Sequence, residues 1–281
     1  MWWVALWAVV TAVGVGGVVA SANGVRFERR VAREVREMEA SRDAPVLDPR
    51  QLSGLPDPVR RYLARAVGAR QRAIRIVRLR HRGTFRPSLD GSWMPIRGQQ
   101  HFTADPPGFI WWGRVQMFPG LWIDACDRSV NGAGNMLVRA ESTFTLVDRR
   151  GPQLDQGGLL RLLGEMTWLP TAFLDGRYVR WTAVDDQRAS ATLQVNDRAV
   201  TAVFAFGPDD LPITFSADRY RDVEGGKAVM TPFVGRFSDY RAVGGVLVPH
   251  RVVAAWVVDG SSIEYARFDV QQVEFDVHEP F

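Results

Sequence analysis

The chain has 281 residues, 46% of them hydrophobic and 23% charged, so it is long enough for one large domain or two small ones and too apolar to be disordered. Its single cysteine, Cys126, excludes an intramolecular disulfide framework and a cysteine-rich zinc site, and is expected to be a small buried apolar residue. The net charge of +4 and the pI of about 9.7 come from arginine, which leaves nucleic acid and anionic membranes as candidate partners.

Residues 1–24 carry no charged side chain and predict a single transmembrane anchor. The apolar run is long enough to cross a hydrocarbon core of roughly 30 Å, and its early tryptophans suit a membrane interface. A cleaved signal peptide is the alternative, because Ala20-Ser21-Ala22 resembles a cleavage site. The arginines that follow place the domain in the cytoplasm by the positive-inside rule, whereas a signal peptide would place it in the periplasm or outside the cell.

Residues 25–54 predict a charged stalk helix followed by a linker. The helix has a narrow apolar stripe, made by Val31, Val35 and Met38. Its arginines either face anionic headgroups or pair with glutamates in a solvated stalk. One β-rich soluble domain is then predicted over residues 55–281, and it opens with a short helix that begins near Asp57 and ends at Gly68.

The hydrophobic period changes to two after Ile74, which predicts β-strands. Leu79, His81, Gly83 and Phe85 alternate with arginines, and a phase slip near Val77 suggests a bulge. Such a row of arginines is typical of a solvated sheet face, and no nucleic-acid motif accompanies it, so no nucleic acid is expected. Further strands are predicted at 98–103, 109–115, 121–130, 134–147, 177–184, 189–195, 199–206, 213–221, 235–240, 246–258 and 262–275. Their spacing favours an antiparallel meander curled into a barrel or half-barrel.

One apolar helix interrupts this β pattern between Leu159 and Trp168. Leucines and Met166 recur at i, i+3, i+4 and i+7, and Pro170 ends the helix. The predicted fold is therefore mainly β (α+β): a curved antiparallel sheet or half-barrel closed by a central helix and preceded by a transmembrane helix. The helix either packs as plain core or covers a ligand cavity.

Few residues indicate catalysis, and none a metal or a cofactor. No standard catalytic motif is present, and the four histidines have no local metal-ligand spacing. Glu165 lies beside the apolar face of the central helix, where a carboxylate is costly unless it is paired. It either pairs with an arginine such as Arg161 or has a raised pKa and acts with Asp127 as a hydrolytic pair.

Aromatic residues are the remaining signal. Phe109 and Trp111 share one face of a strand, and Ile110 and Trp112 share the other. The surplus of aromatics predicts either a fully packed core or a cavity for an acyl chain. The candidate ligand-binding residues are Phe109, Trp111, Trp122, Met136, Leu162, Met166 and Trp168.

Several segments resemble a prokaryotic domain-of-unknown-function family. They are Leu55–Leu63, Pro107–Trp111, Gly132–Gly134, Leu160–Ala172 with its Glu-x-x-Trp-x-Pro-Thr-Ala motif, Tyr240, Gly244–Pro249 and Trp256. Membership implies no activity. The strand pattern with one covering helix is also similar to the half-barrel of LolA- and LolB-type periplasmic lipoprotein carriers, an analogy of topology that favours a lipid-binding role.

Three hypotheses follow from these observations. The first is a membrane-anchored, non-catalytic protein that binds an apolar or lipid-like ligand in a half-barrel. The second is a carboxylate-dependent hydrolase that uses Glu165 and Asp127. The third is a structural or signalling domain that binds a partner protein.

Overall fold

The computed structural model describes residues 2–38, 44–223 and 227–281, with side chains from residue 20 onward. The helices are α1 (Trp2–Glu37), α2 (Asp57–Val67) and α3 (Pro152–Glu165), and short 3₁₀ helices span Pro49–Leu52, Met166–Trp168 and Pro170–Leu174. The strands are β1 (Ile76–Phe85), β2 (Met94–Ala104), β3 (Pro107–Phe118), β4 (Leu121–Val130), β5 (Ala133–Ala140), β6 (Phe144–Arg150), β7 (Val179–Ala183), β8 (Arg188–Val195), β9 (Arg198–Phe206), β10 (Pro212–Val223), β11 (Lys227–Val243), β12 (Val246–Val258) and β13 (Ser261–Phe275).

All 13 strands form one antiparallel sheet in the order β6-β5-β4-β3-β2-β1-β13-β12-β11-β10-β9-β8-β7. Strands β2 to β6 follow in chain order on one side of β1. On its other side β1 pairs with β13, and β12 to β7 follow in reverse chain order. The twisted sheet curls on itself, so Arg149 of β6 pairs with Asp222 of β10 at 2.9 Å. The turn after β8 also reaches the turn after β4, where the Asn196 side chain donates to the Asn131 carbonyl at 3.0 Å. The result is a half-barrel.

Helix α3 connects the two edge strands and crosses the concave face of the half-barrel. It packs against β3–β6 and β8–β10, and four of its leucines are at most 2% exposed, namely Leu159, Leu160, Leu162 and Leu163. Gly134 of β5 allows the helix to begin close to the sheet, because a Cβ there would lie 2.1 Å from the Leu154 carbonyl oxygen. Helix α2 packs against β12 and β8, and Tyr62 and Leu63 lie in the same core.

The second half of α1 packs on the convex face of the sheet. Phe27, Val31 and Val35 are 2–7% exposed and form a separate core with Ile110 and Trp112. Two arginines of the sheet pair with glutamates of α1: Arg128 with Glu34 at 3.0 Å and Arg114 with Glu28 at 3.6 Å. The apolar stripe predicted for the stalk is therefore a packing face, and part of the charge along it is neutralised by the sheet.

The predicted fold class, mainly β with a curved antiparallel sheet and a covering helix, is confirmed. Two details differ. The segment predicted as one strand over 134–147 is a hairpin, because Glu141 and Ser142 adopt left-handed φ values of 49° and 55° and turn the chain. The bulge predicted near Val77 lies between Arg80 and His81.

The predicted membrane anchor falls mostly on residues 1–19, whose side chains lie outside the described part of the chain. Within the part whose side chains are described, no helix combines the length and the apolarity needed to cross a bilayer.

Candidate functional site

One end of the half-barrel is left uncovered on its concave side. In an antiparallel sheet alternate hairpins of neighbouring strands lie at the same end, so the β1–β2, β3–β4, β5–β6 and β12–β13 hairpins share this end. We call it the open end. Helix α3 begins beside Gly134, just after the β4–β5 hairpin at the other end, and Trp168 beyond its last turn donates to the carbonyl of Pro249, near the start of β12 at that same end, at 2.8 Å. The concave face at the open end therefore extends beyond the helix.

A charged cluster lies under this surface, in the middle of the concave face. Its centre is Arg161 of α3, whose guanidinium donates to Glu165 at 2.9 Å and to Asp127 of β4 at 2.9 Å. Gln100 of β2 completes it, accepting from Arg161 at 3.2 Å and donating to Glu165 at 2.6 Å. We call these four residues the Arg161 cluster. The guanidinium also stacks 4.9 Å from the Trp111 ring, which adds a cation–π contact.

The two carboxylates of the Arg161 cluster differ in their environment. Both oxygens of Glu165 accept hydrogen bonds, one from Arg161 and one from Gln100. Asp127 keeps 32% of its side chain exposed, and its Oδ1 has no hydrogen-bond partner among the described residues. Removal from bulk water raises the pKa of Asp127, and the positive charges of Arg161 and Arg219 partly oppose this shift.

A histidine and a tryptophan lie beside the Arg161 cluster on the same face. Trp111 Nε1 donates to His81 Nε2 at 2.8 Å, so His81 is neutral and carries its proton on Nδ1. Burial, helped by the charge of Arg161, lowers the pKa of His81 to about 3. Two glycines make room for the pair: a Cβ on Gly113 would lie 2.3 Å from the Trp111 ring, and one on Gly98 would lie 2.6 Å from His81 Nε2.

Towards the open end, the concave face becomes apolar. We call this surface the open trough; its residues are Phe85, Met94, Met117, Ala125, Phe233, Trp256 and Tyr265. Phe233 and Trp256 are each 8% exposed, and the other five are half-buried. Tyr265 stacks on Trp256 with ring centroids 5.7 Å apart. Arg219 of β10 lies 5.5 Å from the Phe233 ring, so a guanidinium borders the apolar surface.

The structure divides the ligand-binding residues predicted from the sequence among three places. Phe109, Leu162, Met166 and Trp168 are at most 3% exposed and belong to the packed core under the Arg161 cluster. Trp111 and Met136 lie on the concave face at the level of Asp127, with which both are in register. Trp122 lies on the convex face, where it donates to the buried carboxylate of Asp124 at 3.0 Å.

Other chemically active groups lie away from the open end. Cys126 is fully buried beneath α1, and burial raises the pKa of its thiol to about 11. A cleft of about 290 Å³ between α1 and β2 is lined by His101 and His278. Burial, followed by the charges of two arginines, lowers the pKa of His101 to about 4. The described residues contain no group of three histidine, cysteine or acidic side chains placed to hold a metal ion.

Sequence reasoning identified Glu165, Asp127 and Trp111 but included none of the open trough among the ligand-binding residues. Strand alternation does not show which end of a curved sheet a helix covers, so Trp256 was noted only as part of a family motif and Tyr265 not at all. Gly98 and Gly113 did carry a signal: a glycine inside a strand often marks a close approach by another group.

Comparison with solved structures finds similar folds at low sequence identity. A LolA superfamily protein from Nitrosomonas europaea is 13% identical, with 77% of this chain and 91% of that chain covered at a TM-score of 0.37. A DUF1329 family protein from Desulfovibrio piger is 14% identical, with 79% and 95% covered at a TM-score of 0.41. No curated protein matches the chain.

At the level of sequence families the match is direct. The family of unknown function DUF6544 matches residues 45–268, which include α2, α3 and the Arg161 cluster as well as most of the sheet. The chain therefore belongs to DUF6544, a family of unknown function, as its motifs indicated.

Proposed function

We infer that this protein binds an apolar or lipid-like ligand in the open trough and does so without catalysing a reaction. One observation carries the proposal: the concave face is fully packed under α3, whereas beyond the helix it stays apolar and five of the seven residues of the open trough are only half-buried. Concave apolar surfaces with a few polar groups at one side are typical of small-molecule sites. Trp256, Tyr265 and Met117 supply aromatic and flexible apolar contacts for such a ligand.

The polar side of the trough favours a ligand with an anionic or polar head. The guanidinium of Arg219 lies over the rings of Phe233 and Trp256, at 5.5 Å and 6.0 Å from their centroids. Asp127 lies within electrostatic reach of Arg219 and has a raised pKa. An amphipathic ligand would place its chain along the trough and its head beside Arg219.

The hydrolase hypothesis is less well supported by the same geometry. Glu165 has both oxygens engaged and Arg161 contacts both carboxylates, so only Asp127 keeps an oxygen without a hydrogen-bond partner among the described residues. Each member of a hydrolytic pair must reach the proton that it transfers, and Glu165 is instead held in a hydrogen-bonded network.

We also infer that residues 1–24 anchor the protein to a membrane. The proposal rests on the uncharged sequence of that segment and on α1, which continues from it into the folded domain as one helix over Trp2–Glu37. The cytoplasmic side follows from the positive-inside rule, and the periplasmic side is the alternative. Accessibility of a C-terminal tag to protease in sealed cells and spheroplasts distinguishes the two.

Native mass spectrometry of the full chain, released from a mild detergent, tests the ligand proposal. Ala125→Trp fills the trough without removing an existing side chain, and Ala199→Trp makes the same change at an exposed position of β9. We expect a lipid or fatty acid to be bound to the wild type and to Ala199→Trp, and to be lost from Ala125→Trp. Equal occupancy in the two variants, or a ligand-free wild type that takes up no added acyl chain, would refute the proposal.

A further inference from the structure

A group of exposed apolar side chains lies at the open end. Among the described residues, eleven large hydrophobic side chains are exposed. Four of them lie at the β3–β4 hairpin and at the start of β6, which follows the β5–β6 hairpin: Phe118, Leu121, Phe144 and Leu146. We call these four residues the rim. Scattered exposed hydrophobics are normal on a soluble protein, but a contiguous group marks an interaction surface.

The direction of α1 indicates what the rim contacts. At the open end, Asn23 donates to Thr143 of the β5–β6 hairpin at 3.1 Å. Further along α1, Met38 lies near Gly108 at the start of β3, which is at the opposite end of the sheet. Helix α1 therefore runs along the convex face away from the open end, and its earlier part, residues 2–22, extends beyond the rim by roughly 30 Å at about 1.5 Å per residue.

The packing of α1 fixes this direction. Phe27, Val31 and Val35 are buried against the sheet, and Glu28 and Glu34 pair with its arginines. The uncharged residues 2–19 thus leave the folded domain on the same side as the rim. An apolar helix and an apolar rim that lie on one side of a domain match a single partner, the surface of a lipid bilayer.

We propose that the rim docks on the membrane, so that the open trough faces the bilayer into which α1 leads. Phe118 and Phe144, each 66% exposed, enter the interfacial region, and the trough behind them lies next to the lipid acyl chains. The docked orientation extends the proposed ligand-binding function, because it gives a lipid a path between bilayer and trough that need not cross water.

Fluorescence quenching on the full-length protein tests the docked orientation. Phe118→Cys and Phe144→Cys are labelled with the fluorophore NBD after reconstitution into vesicles of phosphatidylethanolamine and phosphatidylglycerol. Val46→Cys is the matched control, because Val46 is 68% exposed and lies near the opposite end, beside Asp105 of the β2–β3 turn. The native Cys126 is buried and stays unlabelled.

We expect blue-shifted emission, and quenching by lipids that carry a nitroxide near the headgroup, at positions 118 and 144 but not at 46. Equal emission and equal quenching at all three positions would overturn the docked orientation and leave the rim to a partner protein. Lipid occupancy in the same preparations separates the two proposals: bound lipid without quenching at the rim refutes docking alone, whereas quenching without bound lipid refutes the ligand proposal alone.

Discussion

Replacing Arg161 by methionine tests whether the Arg161 cluster holds the centre of the half-barrel together. The Arg161 side chain is 15% exposed and bonds to Glu165 and Asp127, whose side chains are 17% and 32% exposed. Removing one partner of a buried ion pair costs roughly 3–5 kcal/mol, because the remaining charge has no counterion. The partial exposure of Asp127 places this case at about 3 kcal/mol, since water screens part of its charge.

At about 2–4 °C per kcal/mol for a domain of this size, Arg161→Met should lower Tm by roughly 6–12 °C. Near-UV circular dichroism follows the unfolding. Arg60→Met is the control: its ion pair with Asp57 is exposed to water, so Tm should stay close to that of the wild type. Combining Arg161→Met with Asp127→Asn and Glu165→Gln should recover most of the stability. A triple variant no more stable than Arg161→Met would refute this account of the cluster.

Three further predictions concern packing around the site. The pKa of His81 is lowered to about 3, so between pH 6.5 and pH 3 the unfolded state binds a proton at this residue and the folded state does not. The free energy of unfolding should therefore decrease as the pH is lowered from 6.5 to 3. In urea titrations, His81→Gln should flatten that part of the pH profile. Gly113→Ala should displace the Trp111 indole and change Trp fluorescence and near-UV dichroism, while a spectrum identical to the wild type would contradict the contact. Phe27→Ala should cost roughly 3–5 kcal/mol and raise protease cleavage within α1, and an unchanged cleavage rate would show that α1 is not held by this core.

The sequence determined the architecture at the level of elements. Period-two strands, turn residues and one helix with a 3.6-residue period are local signals, and they predicted a curved antiparallel sheet with a covering helix. They also predicted which side chains share a face: Phe109 and Trp111 lie in one core, and Ile110 and Trp112 in the other. Within a stretch free of β-bulges, the face of a residue depends only on alternation along its own strand, so the sequence alone is enough to assign it there.

Position along the curved sheet was decided by the tertiary structure. Trp168 and Leu162 carry the same apolar signal as Trp256, yet α3 places the first two in packed core and leaves Trp256 at the open trough. The pairing of Arg161 with both Glu165 and Asp127 likewise depends on contacts between elements far apart in sequence. The path of α1 was also undetermined, because an apolar stripe shows that a helix packs but not which surface receives it. Strand alternation and helical period are set by the residues of one segment. Which part of the sheet a helix covers, and which charged side chains pair, are set by contacts between segments in the whole fold.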